Sequence, residues 1–593
     1  MMTNGAMKHT DQAPSSLRIA LLAEGTYPYF PGGVSVWCDR TVRGLAPHRF
    51  SIYAIVANSD LEQTWELPEN VDNLISISLW GDGAGTLSSV GPPNDLNAPE
   101  KTDIVRGEPG GEPRASPRRR RRSGARINLG RTNPPAAMGS EDADVARAFE
   151  QLATSLVDPD DGLSFLDALH QLFDLSQAQS SAPRLRTLSS VESLLAAMKS
   201  QRSRNRPSST SGEVSVADAL LVLDLIDRQL RPLFEPPPQV DLCHATSNGL
   251  AILPALGAYW SFGTPLVLSE HGIYLRERYL SYDASTFTRP VRATMLRFFK
   301  HLSWVGYQVA AAVAPVCDYN CQWLEANGCD PEQIRRIYNG VDVADIGGNG
   351  AEPEAPTLVW MGRIDPLKDV ETLLKTFARV HREMPEARLR IFGATTKENQ
   401  NYRRRCQDLA SSLELDDSVT FEGHTNSVLE AYRSGHVVLL TSISEGFPYS
   451  LIEAMAAGKA TVATDVGGVR EATGSAGIVV PPQDPERMAD ACLSLLRDAS
   501  LRQIVGRAAR ERILSRFTMD ESLALYRELY REVTEDASRA PIKEYPGPSD
   551  EEFMEELAMQ LIESPIGPFM KSDIDAKRGR GRRVSEGAEG LAS

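Results

Sequence analysis

VVLLTSISEGFPYSLIEAMAAGKATVATDVGGVRE, residues 437–471, decides the fold. Residues 437–442 are an apolar run short enough for a strand buried on both faces. A polar loop follows, then a helix is expected over 451–457 and a second buried strand over 461–465. Two buried strands joined by a helical crossover form the unit of a parallel α/β sheet. The flanks repeat the pattern, with strands expected at 357–361, 389–393, 419–423 and 478–480 and helices at 370–383 and 402–413. Residues 351–515 therefore read as one doubly wound domain, closed by helices at 485–497 and 501–512 and followed by a C-terminal helix within 516–535.

Upstream, the same alternation predicts a first α/β domain over residues 17–345. RIALLAEG, residues 18–25, reads as its first strand and 37–45 as its first helix. Strands are expected at 50–57, 74–79, 240–244, 265–271 and 309–315, and helices at 143–156, 163–175 and 216–233. Residues 81–141 and 200–212 read as disordered insertions, because Gly, Pro, Ser and Arg bury too little apolar surface to offset chain entropy. The first holds five arginines, Arg118–Arg122, a solvated run or an arm for an anionic partner such as lipid headgroups. Residues 1–16 are expected to be disordered and 536–593 to form a mobile tail. Two doubly wound domains face one another across a cleft, and ligands bind beyond the C-terminal ends of such strands.

The chain has 593 residues and a formal net charge of -16, which argues against a nucleic-acid binder. No run of 18 apolar residues occurs, and the first residues lack the apolar core of a signal peptide, so a cytoplasmic protein is expected, with peripheral attachment at the inner face of the membrane as an extension. Cys317, Cys321 and Cys329 lack paired CxxC spacing and nearby histidines, so they read as buried thiols, and no metal is expected.

Five stretches carry candidate chemistry, each in a loop that follows a strand. Gly32-Gly33 precedes the first helix and offers backbone N–H groups to an anion, or is simply a tight turn. Arg363 and Lys368 flank a loop, where a forked and a compact cation together can grip a diphosphate, or where two loop charges are merely solvated. Glu445 lies in a loop and Glu453 in the next helix, one carboxylate at each end of a bay suited to sugar hydroxyls, with a helix start between them. Ser450-x-x-Glu453 also matches a capping box, in which Glu453 only satisfies the helix end. Asp465 to Glu471 forms a glycine turn bordering the same bay, and Glu270-His271-Gly272 ends a strand of the first domain, aiming a histidine into the cleft.

Together these stretches resemble the family 4 retaining glycosyltransferases of GT-B fold. GRIDPLKD resembles the family's Arg…Lys diphosphate motif, and Glu445 to Glu453 resembles its E-x7-E motif. LLAEGTYPYFPGGVSVWCDRTVRGL and LSEHGIYLRER are similar to a PelF-type branch linked to bacterial exopolysaccharide synthesis. The resemblance implies that Arg363 and Lys368 hold the donor diphosphate, that Glu453 holds the ribose, and that Glu445 contacts the transferred sugar. It implies that Gly32, Gly33, Gly446, Phe447, Ser450 and Leu451 line the donor site, that His271 meets the sugar at its reacting face, and that 423–427 border the base. The implied reaction moves a sugar from a nucleoside diphosphate, UDP being expected, to a saccharide or lipid-linked acceptor. It needs no cofactor or metal and takes place beside a membrane export complex. Two departures stand out: Pro448 occupies a position where many relatives have glycine, removing one N–H, and Asp369 replaces the glycine usual after the lysine. Two rivals remain, a nonhydrolysing nucleotide-sugar epimerase of the same fold and a nucleotide-binding scaffold without activity.

Overall fold

The computed structural model describes residues 16–58, 61–80, 140–158, 161–204, 213–342, 352–396, 399–425 and 427–535. The expectations for 1–15, 81–139, 205–212 and 536–593 lie outside the described residues.

The first sheet holds β1 (Arg18–Glu24), β2 (Arg49–Val56), β3 (Val71–Ser78), β4 (Leu242–Ala245), β5 (Leu266–Glu270) and β6 (Ala312–Pro315), in the order β3-β2-β1-β4-β5-β6. The second holds β7 (Thr357–Met361), β8 (Arg388–Phe392), β9 (Val419–Gly423), β10 (Val437–Leu440), β11 (Ala460–Thr464) and β12 (Ile478–Val480), in the order β12-β11-β10-β7-β8-β9. Every pairing in both sheets is parallel. The strand order reverses between β1 and β4 in one sheet and between β7 and β10 in the other. At such a reversal the following loops splay to opposite faces and leave a crevice. Gly32-Gly33 follows β1, the Arg363–Lys368 loop follows β7, and Glu445 follows β10, so three candidate stretches converge on the two crevices.

Side-chain alternation builds the core from both faces of the central strands. In β1, Ala20 and Leu22 face a cluster that includes the helices inserted after β3, whereas Ile19 and Leu21 face the first helix, Gly33–Gly44, and the last, Met519–Glu535. The inserted helices are Ser140–Ser155, Gly162–Gln179, Leu188–Arg204, Val216–Gln229 and the short Arg231–Phe234. Leu188–Arg204 corrects the expected break at 200–212: the helix runs through the first part of it and buries Leu194 and Met198. Its serine-rich sequence, LSSVESLLAAMKSQRSR, dilutes the apolar periodicity that marks a helix.

The last helix leaves the second domain and packs on the first. Val341 and Thr518 bridge the outgoing and returning connections, with Val341 N–H donating to Phe517 O at 2.9 Å and Met519 N–H to Val341 O at 3.0 Å. Tyr526 and Tyr530 of this helix enter the first core and meet a buried polar network. His244 uses Nδ1 on Tyr530 Oη at 2.6 Å and Nε2 on Ser269 Oγ at 2.8 Å, and Ser269 reaches Tyr526 Oη at 3.0 Å. Both ring nitrogens are satisfied in a site without water access, and burial pushes the imidazole down to about 3, so the ring is neutral. Tyr530→Phe would leave one buried ring nitrogen unpaired and is expected to cost about 1–3 kcal/mol of stability. A denaturant midpoint equal to that of the parent protein would show that the network does not anchor the helix.

Candidate functional site

The Glu445 loop is held from below by β10 and β7. Trp360 Nε1 donates to Thr441 Oγ1 at 3.1 Å, Thr441 Oγ1 donates to Lys368 O at 2.7 Å, and Ile443 N–H donates to Leu367 O at 2.9 Å. These bonds tie the loop after β7 to the loop after β10. Their side chains then meet: Lys368 Nζ donates to Glu445 Oε1 at 2.5 Å, and Ser442 Oγ donates to the same oxygen at 2.6 Å. The glutamate side chain is 9% exposed and the lysine 22%, so the pair is screened from bulk water while the ammonium keeps an open side. Arg363 is placed differently. Its side chain is 57% exposed and leans on Asp365 Oδ2 at 3.5 Å, so it stands at the rim and touches neither Lys368 nor Glu445 in the described geometry.

Asp369 occupies the position where the resemblance expects glycine, and the backbone explains the tolerance. Its φ is 47°, in the left-handed region that Asp and Asn enter more readily than most residues. The carboxylate caps the following helix, Val370–Glu383, accepting from Thr372 N–H at 3.1 Å, so its charge is turned toward the helix start.

The helix after the Glu445 loop, Tyr449–Ala456, begins at an N-cap of Pro448. Leu451 and Ile452 N–H both donate to Pro448 O, at 3.2 and 3.3 Å, so the groups ahead of the first intrahelical bonds are those of Tyr449 and Ser450. Ser450 is therefore inside the helix, and the capping-box reading of Ser450 and Glu453 is not realised. The Glu453 carboxylate instead meets Arg40 Nη2 of the first domain at 3.3 Å and the Tyr432 hydroxyl at 3.5 Å. Burial raises its pKa, and Arg40 and Tyr432 partly oppose the rise.

The two domains meet along these loops. Gly446 lies against the His271 backbone so closely that a Cβ at 446 would overlap the His271 carbonyl oxygen. Gly467, at φ 53°, approaches the Glu445 carbonyl in the same way, which is why a glycine turn follows β11. Phe447 is buried, and its carbonyl accepts from Asn339 Nδ2 at 3.0 Å. Arg276 Nη2 donates to Ser444 Oγ at 2.9 Å, and the Glu471 carboxylate takes the N–H groups of Asp318 and Tyr319 at 2.8 and 3.0 Å. Gly33 faces the Tyr449 ring, a Cβ there lying at an ordinary 3.6 Å, and Gly32 is unobstructed.

His271 follows β5 at this seam. Its ring packs edge-on against Trp37, centroids 4.6 Å apart, and Nε2 is buried without a hydrogen-bond partner. Burial pushes the imidazole down to about 4, so at neutral pH it is uncharged and able to accept or donate one hydrogen bond. The neighbouring Glu270 carboxyl is pushed up to about 8 by burial and is held by the Tyr307 hydroxyl at 3.1 Å.

Of the predicted residues, Lys368 and Glu445 touch directly, Gly446 abuts His271, and Ser450, Leu451 and Glu453 belong to the helix that follows. Sequence reasoning missed Arg40, Ser442, Tyr432 and Arg276. Arg40 carried one signal, its place two helical turns after Gly33 and hence on the same face; the others carried none. All seven cysteines are free, Cys321 the least buried and its thiol pushed up to about 11 by burial. Among the described residues no three His, Cys, Asp or Glu side chains are grouped to hold a metal ion, and no helix is long and apolar enough to cross a membrane.

With this geometry in hand, residues 344–512 match the model of the family described as glycosyl transferases group 1. The second domain belongs to that family. Residues 17–105 and 127–332 match a domain of unknown function, DUF3492. The chain is similar to a sulfoquinovosyl transferase of Arabidopsis thaliana, 28% identical over 46% of this chain and 52% of that protein. It is similar to a D-inositol 3-phosphate glycosyltransferase of Saccharomonospora viridis, 32% identical over 33% of this chain and 51% of that protein. The chain thus spans about half the length of these curated relatives. A sucrose-phosphate synthase from Thermosynechococcus elongatus shares the fold, with a TM-score of 0.52 and 16% identity over 87% of this chain and 98% of that one. Two parallel six-stranded sheets facing each other across the seam make this a GT-B architecture, with a group 1 glycosyl transferase domain as its second half.

Gly446→Ala tests the seam. The added methyl meets backbone, which cannot swing aside, so the domains must part. Small-angle scattering is expected to give a larger radius of gyration than the parent; an unchanged radius would mean that the seam has slack.

Proposed function

We propose that the protein transfers a sugar, with retention, from a nucleoside diphosphate sugar to a saccharide or lipid-linked acceptor, the donor being UDP-linked. The observation that carries this reading is the Lys368–Glu445 contact at 2.5 Å beside the start of the helix Tyr449–Ala456. A cation and open N–H groups are what a departing diphosphate needs, and an adjacent carboxylate is what sugar hydroxyls need. Lys368, Arg363 from the rim, and the Tyr449 and Ser450 N–H groups would stabilise the charge that builds on the leaving group. Glu453 would grip the ribose, Glu445 the transferred sugar, and neutral His271 a hydroxyl at the reacting face. Gly32, Gly33, Gly446, Phe447 and Leu451 would line the donor, and residues 423–427 would border the base. The leaving phosphate oxygen takes the acceptor proton on the same face, so the bond to the acceptor oxygen forms as the bond to phosphate breaks. These groups do the work of a cation, so no metal or other cofactor is required. The names of the curated relatives, a sulfoquinovosyl transferase and an inositol-phosphate glycosyltransferase, support sugar transfer. A PelF-type role in exopolysaccharide synthesis, at the cytoplasmic face of a membrane export complex, is the setting we infer from the first-domain motifs.

Thermal-shift screening with UDP-, GDP- and ADP-sugars tests the donor. A ligand at a hundred times its Kd adds about 2.7 kcal/mol, so the UDP-sugar is expected to raise Tm by several degrees; no shift with any donor contradicts the reading. Lys368→Ala is expected to lower turnover about 10²–10³-fold, as for loss of one preorganised donor to a leaving group, and to lower Tm as well, because it leaves the buried Glu445 carboxylate without its cation. Parent-like turnover would refute the role. Product analysis with donor alone separates this transferase from an epimerase, and donor binding without turnover on any acceptor would favour a scaffold.

A further inference from the structure

Arg40 belongs to the first helix, Gly33–Gly44, in the domain opposite the E-x7-E segment. It lies two turns after Gly33, so the glycine pair and the guanidinium share one face of that helix. Tyr449 borders both: its ring edge lies 3.6 Å from where a Cβ at Gly33 would sit, and Arg40 Cζ lies 5.4 Å from the ring centroid. Beyond the ring, Arg40 Nη2 reaches Glu453 Oε1 at 3.3 Å. Among the described residues the second oxygen, Oε2, has only the Tyr432 hydroxyl at 3.5 Å, and that hydroxyl already donates to Ser450 O at 3.0 Å. Arg40 is thus the principal hold on the carboxylate.

We infer that Arg40 is a positioning residue for Glu453: it aims, from across the seam, the carboxylate that takes the ribose hydroxyls, and so makes nucleotide binding depend on closure of the two domains. The inference rests on the transferase reading above. A pair serving only to glue the domains would satisfy its buried groups. Here Arg40 Nη1 and the Tyr449 hydroxyl are both buried and have no hydrogen-bond partner, a cost that a purely structural contact has no reason to carry. The arrangement keeps hydrogen-bonding capacity at the point where the ribose end of a nucleotide would lie.

The charged and titratable groups facing Glu453 are Arg40 on the first helix, Tyr432 on the helix Val428–Arg433 and Tyr449 on its own helix. Burial is the largest influence and raises the carboxyl pKa; Arg40 is the first of those that lower it. Ribose hydroxyls donate to the ionised carboxylate, so binding is present above the folded-state pKa and is lost as pH falls through it. Removing the Arg40 charge raises that pKa further, and the loss then begins at higher pH.

Calorimetric titration of the full chain with UDP, GDP and ADP from pH 5 to 8 tests this in the parent, Arg40→Gln, Arg40→Lys and Glu453→Gln. Glu453→Gln is expected to weaken the tightest-binding nucleotide about tenfold or more at neutral pH and to flatten the acid limb. Arg40→Gln is expected to weaken it about tenfold and to move the acid limb to higher pH, whereas Arg40→Lys loses less and keeps the limb near the parent's. If Arg40→Gln matches the parent while Glu453→Gln loses binding, the inference falls and the transferase reading stands. A uniform loss at every pH with the limb unmoved also overturns it, because domain packing alone would do that. If Glu453→Gln binds like the parent, the transferase reading fails and the inference with it. Should Arg40→Gln not fold, the lysine variant decides: a limb displaced as far as complete charge loss would require contradicts the inference.

Discussion

The His271 carbonyl and Gly446 meet backbone to backbone, and that approach sets the spacing of the whole site. No side chain at 446 could yield to bring the domains closer or hold them further apart. This contact ties the loop after β5 to the loop after β10. Charged groups then pair across or beside the seam: Lys368 with Glu445, Arg40 with Glu453. Each carboxylate has been taken from water, which is tolerable only with a cation within reach. A ligand that offers its own hydrogen bonds can share those pairs without rebuilding them, which is the economy of a preorganised site.

The C-terminal helix explains how two separate sheets maintain that alignment. It returns from the second domain to bury Tyr526 and Tyr530 in the first, against His244 and Trp37. Trp37 is also the partner of the His271 ring. The helix therefore reaches the seam from behind, through packed aromatics. The outgoing chain at Val341 and the returning chain at Thr518 run side by side, so the connections between the domains cross at one short line. Glu471, bonded to the N–H groups of Asp318 and Tyr319, is among the contacts across the seam that opening would strain.

Much of the fold was readable from the sequence because both sheets are parallel and buried. Their central strands are largely apolar runs such as VVLL, each followed by loop residues that punctuate it. The helix Leu188–Arg204 escaped because serine and charge blur its apolar stripe. At the site, the placing of Lys368 and Glu445 in loops after strands, and of Glu453 in the helix that follows, was legible, because each comes after a buried apolar run. The choice between a capping box and an outward-reaching Glu453 was not legible. It depends on whether the helix starts at Pro448 or two residues later, and on an arginine more than four hundred positions away in the chain. Arg363 was expected to work as an equal of Lys368; its exposed position beside Asp365 depends on loop geometry that motif spacing does not encode.

The central claim is that a nucleoside diphosphate binds in the seam and is gripped from both domains. Hydrogen exchange read by mass spectrometry, with and without saturating UDP, tests it most directly. The account predicts added protection in peptides covering 362–369 and 441–455 of the second domain together with 26–40 and 270–276 of the first. Protection confined to one domain, or appearing only in segments distant from the seam, would contradict it.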